Sequence, residues 1–400
     1  MKPKLYLHIG DHKTGTSAIQ EFCRSNYNLL FKNGIFYPYV SKYPLNNFNE
    51  DAYEPLKKKI KNHHSMFHSL SLHNKYWLDI INQKYLKKIF YQKKVLSSKK
   101  LLSKNEICEI LESFQNVCLI SNKDLLLSSE QINRHKISTN LKLPSRIQYY
   151  KYLKEILEDY FEVEIIFILR KHIFFVQSLY YELVANGYAK ENFYVEDLIK
   201  EQSWRFNYLD RLNELNKVFE KISVFSYDNL LKENGIVENF IKKCLRKNIN
   251  FQQESTFKPS QKIRESLSAG ECALKLKFNY ENGIRISPKK NKLLITWIKS
   301  NYVQKILNRV FNKDNLGLWS FGQTSIDKYE KLFLKESNKL KKLYDLDFKK
   351  NLKRLIQDEF IGYINKEQLK ELSNDKKLSE KEFSFIKKIL ESKINAPNKF

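Results

Sequence analysis

The stretch KLYLHIGDHKTGTSAIQ, Lys4 to Gln20, decides how the rest of the chain is read. KLYLHIG is a short apolar run of the kind that forms a buried strand. It runs into a loop with Gly10 and Gly15, then into a segment with helical periodicity, where Ile19, Phe22, Cys23, Asn26 and Leu30 recur at helical spacing. Gly34 stands where a C-terminal cap belongs. A glycine loop between a strand and a helix N-terminus turns backbone N–H groups and the positive end of the helix dipole towards an anion. Phosphate-cradling loops carry Gly, four residues, Gly, Lys and then Ser or Thr. Here Gly10, Gly15 and Ser17 are in register, but Thr16 holds the lysine position and the loop's lysine is Lys13.

Working outward, VCLIS (117–121) and DLLLSSE (124–130) are two apolar runs, of which one or both should be core strands. EVEIIFILRK (162–171) is a near-continuous apolar run, as expected of a parallel strand covered on both faces. RIQYYKYLKEILEDYF, HIFFVQSLYYELVANG and FNYLDRLNELNKVFE have helical periodicity, and KISVFSYDNLL reads as a strand and turn. Strands alternating with helices predict an α/β fold, three layers around a mostly parallel sheet. Residues 40–115 read as a mostly helical insertion. SKNE (103–106) is a capping box that should open a helix over EICEILESF. Residues 351–400 read as extra C-terminal helices, which divides the chain into a 1–350 domain and a short helical extension.

A formal net charge of +26 favours anionic partners, although lysine is spread along the whole chain. The same charge is compatible with peripheral contact to an anionic membrane surface. No reader motif and no clustered basic face is found, so nucleic acid is not an expected partner. Five dispersed cysteines without a CxxC point to reduced thiols. The chain shows no leader-like segment and no apolar run near the ~20 residues of a membrane span, so the expectation is a cytoplasmic protein. His63, His64, His68 and His73 have no accompanying carboxylate or cysteine at metal-site spacing, and no metal is expected.

Together these motifs give the chain a family likeness. HIGDHKTGTSAIQ resembles the 5′-phosphosulfate-binding loop of sulfotransferases that use 3′-phosphoadenylyl sulfate (PAPS), and ILRKHIFFVQS supplies an Arg and a Ser eight residues apart, as that family's 3′-phosphate motif does. LLLSSE, VFSYDNLL and IRESLSAGECALKLKFN are similar to connecting segments of its bacterial branch. The likeness covers about residues 4–350, interrupted at 40–115.

The resemblance implies a P-loop-type fold and transfer of a sulfuryl group from PAPS to a hydroxyl or amine, leaving PAP and needing no metal. The acceptor it implies is a saccharide or a cell-envelope glycan or lipid precursor. It further implies that Lys13, Thr14, Gly15, Thr16 and Ser17 hold the 5′-phosphosulfate, that Arg170 and Ser178 hold the 3′-phosphate, and that Lys13 stabilises the leaving group. Glu130 is the candidate base, with His12 the alternative. His8 reads as a core histidine. Lys258, Lys262 and Arg264 stand where that family completes its nucleotide pocket. Tyr180 and Tyr181 read as core, with a second role flanking the adenine or the acceptor. A P-loop kinase or NTPase, and a non-enzymatic basic module that binds polyanions, are the rival readings. The first would need a lysine beside Gly15 and a Mg²⁺-binding carboxylate, and the second a concentrated basic face.

Overall fold

The structure, a computed structural model, describes residues 1–11, 13–38, 104–134, 146–187, 195–231, 235–249, 288–301 and 323–346, together with residues 267, 271, 272, 274, 275, 279, 303, 304 and 348. The 351–400 extension and most of the 40–115 insertion lie outside the described residues, as do the histidines at 63–73 and the basic positions 258, 262 and 264.

Five strands form one sheet: β1 (Lys4–His8), β2 (Ile35–Phe36), β3 (Asp124–Ser128), β4 (Glu162–Leu169) and β5 (Lys221–Ser226), in the order β2-β3-β1-β4-β5. Every pairing is parallel, with His8 opposite both Ser128 and Ile166. The principal helices are α1 (Thr16–Ser25), α2 (Tyr27–Lys32), α3 (Lys104–Ser121), α4 (Arg146–Glu158), α5 (His172–Ala185), α6 (Tyr208–Asn216), α7 (Pro288–Ile298) and α8 (Gln323–Tyr344). Helices cover both faces of the sheet. The fold is the three-layer α/β arrangement expected from the strand–helix alternation.

The chain divides into two compact units. The first draws on Met1–Arg170, Asn207–Ile263 and Leu340–Leu346, and it contains the whole sheet. Strand alternation sorts its core. Tyr6, Leu126, Ile166 and Ile168 face a cluster with Ile19, Phe22 and Cys23 of α1, Leu29 and Leu30 of α2, and Phe240 and Ile241. Leu5, Leu7, Leu125, Leu127, Ile165 and Phe167 point to the other face and are fully buried. On that side α3 packs on β3, α4 on β4, and α6 on α4. Burying one such side chain stabilises the fold by about 1.5–3 kcal/mol, so this two-sided layer dominates the stability of the unit.

Of the two candidate strand runs, only DLLLS is a strand. VCLIS is the last turn of α3. The reason is periodicity: Ile107, Ile110, Leu111, Phe114, Val117 and Cys118 recur at helical spacing and all are buried. Leu119 and Ile120, which made the run look like a strand, are 51% and 83% exposed. The segment after the loop is two helices rather than one. Asn26 leaves helical geometry (φ −119°, ψ 27°) and its side-chain amide donates to the Phe22 carbonyl.

Glu164 of β4 ties the sheet together at the opposite end from the loop. It is buried and takes Lys4 Nζ at 2.6 Å, both Arg246 Nη groups at 2.7 and 3.0 Å, and the Ser223 hydroxyl at 2.7 Å. Burial alone would raise its carboxyl, but Arg246, Lys4 and Ser223 outweigh it and pull the pKa to about 2, from an ordinary 4.5. The stabilisation is therefore fully present above pH about 4.5 and is lost as the pH falls towards about 2. Glu164→Gln is expected to lower unfolding free energy by roughly 2–4 kcal/mol at pH 7, because two cations lose their buried partner. Urea titrations of wild type and variant between pH 7 and pH 3 test this. The gap between the two curves should narrow on acidification.

The second unit draws chiefly on Lys171–Phe206 and Arg264–Lys339. Its central helix, α5, is buried through Ile173, Phe175, Val176, Leu179, Tyr180, Tyr181 and Val184. Its last carbonyls are capped by side chains: Asn279 Nδ2 donates to the Val184 carbonyl at 3.0 Å and Asn291 Nδ2 to that of Ala185 at 2.8 Å. The His172 ring stacks on Phe333 at 4.6 Å, and its Nε2 lies 3.1 Å from Glu336. Among the described residues no helix is long and apolar enough to cross a membrane. The five cysteines are free thiols, four of them buried.

Candidate functional site

In an open parallel sheet, ligands bind beyond the carboxyl ends of the strands, where successive connections leave in opposite directions. Here that place is the end of β1, since β3 lies on one side of it and β4 on the other. Three candidate residues sit at these three adjacent strand ends: Lys13 after β1, Glu130 after β3 and Arg170 after β4.

The described residues of the loop after β1 include two in the left-handed region. Lys13 and Gly15 take left-handed backbone angles, with φ of 64° and 77°. At Gly15 a β-carbon would lie 2.1 Å from Ile236 Cδ1 and 3.1 Å from Tyr227 Cε2, so a side chain there would have to displace Ile236 and would also be strained by the left-handed φ. Gly15 is the N-cap of α1 and provides no side-chain cap. The first intrahelical bonds come from Ala18 and Ile19, both to the Gly15 carbonyl. The amides of Thr16 and Ser17 therefore have no acceptor within the helix and face its N-terminal end, where the dipole favours an anion.

The hydroxyls of the loop divide by role. Thr14 Oγ1 donates to the Asp11 carbonyl at 2.5 Å, and Thr16 Oγ1 reaches the same oxygen at 3.3 Å. Both threonines are buried, so these hydroxyls close the loop from inside and leave their backbone amides to meet a ligand. Ser17 is exposed and Lys13 half-buried.

Four anchors hold the loop. The Asp11 carboxylate pairs with Arg211 of α6 at 2.7 Å, and Arg211 is fully buried, with its guanidinium 5.0 Å from the Tyr208 ring and 5.5 Å from that of Phe167. Asn133 Nδ2 donates to the Ile9 carbonyl, and Tyr150 holds Asn133 in place through a 3.0 Å bond to its Oδ1. The Ser129 amide donates to the His8 carbonyl at 2.9 Å. Arg170 Nη1 donates to the Lys13 carbonyl at 3.1 Å, with its guanidinium 5.0 Å from the Tyr227 ring and its own carbonyl held by the Tyr208 hydroxyl at 3.0 Å.

Lys13, Thr14, Gly15, Thr16, Ser17, Arg170 and Glu130 thus all belong to the sheet-bearing unit, and Arg170 touches the loop directly. Glu130 opens the 3₁₀ turn Glu130–Arg134, the same turn that Asn133 fastens to Ile9. His12 lies outside the described residues. Ser178 is half-buried on α5 of the second unit, and Tyr180 and Tyr181 are buried there. His8 is a core residue, as the sequence implied. It is fully buried, and burial pushes its pKa down from 6.5 to about 3, so the imidazole is neutral. Among the described residues, no group of three His, Cys, Asp or Glu side chains is arranged to hold a metal ion.

No family model matches the chain, and no curated protein and no solved structure matches it.

Proposed function

We propose that this protein is a sulfotransferase that moves the sulfuryl group of PAPS to a hydroxyl or amine of an acceptor, a saccharide or a cell-envelope precursor. The observation that carries the reading is the meeting of a glycine-bounded helix N-terminus, Lys13 and Arg170 at the ends of adjacent central strands. Such a site offers amides and an ammonium to one anionic group, and a guanidinium at its edge to a second. The Lys-Thr-Gly-Thr-Ser loop pattern and the Arg that follows β4 resemble the two donor motifs of PAPS-dependent sulfotransferases, and that resemblance supports a nucleotide donor with a separate 3′-phosphate.

In this reading the acceptor oxygen bonds to sulfur as the bond from sulfur to the 5′-phosphate oxygen breaks. The acceptor proton passes to a base, and the negative charge ends on the departing phosphate. Catalysis is then mainly positioning and charge stabilisation. Lys13 and the Thr16 and Ser17 amides meet the growing charge on the leaving oxygen. Glu130, at the neighbouring strand end, takes the proton, and His12 is the alternative.

A nucleotide kinase or NTPase reading has less support. The position of the usual loop lysine is Thr16, which is buried and bonded to the Asp11 carbonyl. The two readings separate in a ligand-induced thermal shift. PAP without metal is expected to stabilise the protein by several degrees at saturating concentration, and ATP with Mg²⁺ by much less. Arg170→Ala should lose most of the PAP shift, with the unliganded melting temperature falling only by the few degrees expected from losing its bond to the Lys13 carbonyl. Stabilisation by ATP with Mg²⁺ alone would sink the sulfotransferase reading.

A further inference from the structure

His8 ends β1 directly beneath the loop, with its ring fully buried. Its Nδ1 is 2.9 Å from Ser128 Oγ on the paired strand β3. Gln20 Nε2 donates both to Ser128 Oγ at 3.1 Å and to the Ser128 carbonyl at 3.2 Å. A carbonyl only accepts, so the second bond fixes which end of the Gln20 amide faces Ser128. With Gln20 donating to Ser128 Oγ, the hydroxyl proton can point at His8 Nδ1, and the ring proton then resides on Nε2.

That Nε2 has no hydrogen-bond partner among the described residues. It points towards the inside of the loop. A β-carbon built on Gly10 would lie 2.6 Å from it, and Thr14 Oγ1 and Thr16 Oγ1 are each 3.0 Å from the same point. Both threonine hydroxyls bond the Asp11 carbonyl. At this floor the imidazole N–H is therefore the side-chain donor, and Gly10 puts no β-carbon between it and the two threonine hydroxyls. A buried donor left without an acceptor costs stability, so its retention calls for an explanation.

We propose that His8 is a ligand-binding residue: its Nε2–H donates to an oxygen of the phosphate- or sulfate-bearing anion held by the loop, while Ser128 and Gln20 are positioning residues that keep the proton on Nε2. The proposal rests on reading the loop as an anion cradle, but not on the identity of the nucleotide. The imidazole is neutral, and it contributes a directed donor where Lys13 contributes charge.

Two substitutions divide the ring. His8→Asn puts an amide near the Nδ1 position, whose oxygen can still accept from the Ser128 hydroxyl, and deletes Nε2, whereas His8→Gln places an amide N–H near Nε2 and gives up the Ser128 bond. The probes are inorganic pyrophosphate and PAP, with binding to full-length protein measured by calorimetry. His8→Asn is expected to weaken both anions by about tenfold or more, the usual effect of losing a bond to a charged group, and His8→Gln to stay within roughly threefold of wild type. Nitrogen-15 spectra of the wild-type ring should show a protonated Nε2 whose resonance moves when anion is added.

Unchanged binding in His8→Asn, or a ring protonated at Nδ1, overturns the proposal. Pyrophosphate binding that depends on Nε2, without PAP binding, leaves His8 in its role and removes the PAPS reading. Failure of the wild type to bind either anion removes both. Should both variants fail to fold, an Nε2 resonance in the wild type that ignores added anion overturns the proposal by itself.

Discussion

Lys13→Ala is expected to lower the turnover of PAPS by about 10²–10³-fold, the usual cost of removing one preorganised group that meets developing charge. The fold should survive the change. Lys13 is half-buried in a left-handed conformation, and alanine meets the same backbone penalty there as lysine does, so the loop's shape should not be released. The contact that Arg170 makes is to the Lys13 carbonyl, which the substitution keeps. PAP affinity should therefore fall less than turnover, since the ammonium matters most when charge accumulates on the leaving oxygen. Lys13→Arg keeps the charge but spreads it over a planar group, and an intermediate rate is expected. Labelled PAPS with a panel of envelope glycans gives the readout, and circular dichroism checks the fold. A Lys13→Ala enzyme within tenfold of wild type would remove Lys13 from the mechanism.

Arg211→Met is expected to cause the largest loss of stability of any single change in the loop's support. The Arg211 side chain is fully buried against Asp11, and removing it leaves the carboxylate in an apolar setting without its counter-charge. Breaking such a pair typically costs about 3–5 kcal/mol, a large share of the 5–15 kcal/mol that holds a domain together. In a unit of this size that corresponds to a fall in melting temperature of roughly 10 °C. Pairing the change with Asp11→Asn removes the stranded charge, and the double variant should recover most of the loss. A double-mutant cycle from urea unfolding measures the coupling, and a value near zero would show that the pair is not an anchor. Asp11 also offers its carbonyl to Thr14 and Thr16, so PAP affinity should drop in Arg211→Met even where the protein remains folded.

Much of this architecture can be read from local pattern. EIIFIL and DLLLS are short apolar runs, and the period of α4, α5 and α6 is plain in their sequences. A short window leaves one of the two candidate strand runs ambiguous. VCLIS looks like a strand taken alone, whereas the spacing from Ile107 to Cys118 shows one helical face extending through it. β2 is two residues long, too short for any periodicity to register. At the site, Lys13, Gly15, Arg170 and Glu130 could be proposed because each lies at a strand end or in a glycine loop. Their supports could not. Asn133, Tyr150, Ser128 and Arg211 become partners of the loop only through the order of the strands. Arg211 did leave one trace, a charge on the apolar face formed by Tyr208, Leu212 and Leu215. A cation in such a place announces a buried partner without saying which.

The four anchors of the loop also bear on how the protein is made. Gly10 to Ser17 leave the ribosome long before the groups that hold them. The groups that shape them come much later: Asn133 reaches back 124 positions to Ile9, Arg170 reaches back 157 to Lys13, and Arg211 follows both. Contacts so distant in sequence form slowly, since a long chain must close before they repay its lost freedom. During synthesis the loop therefore stays without its native support until α6 has emerged. A nascent chain halted before residue 211 would carry the whole glycine motif and still lack a site able to hold its ligand.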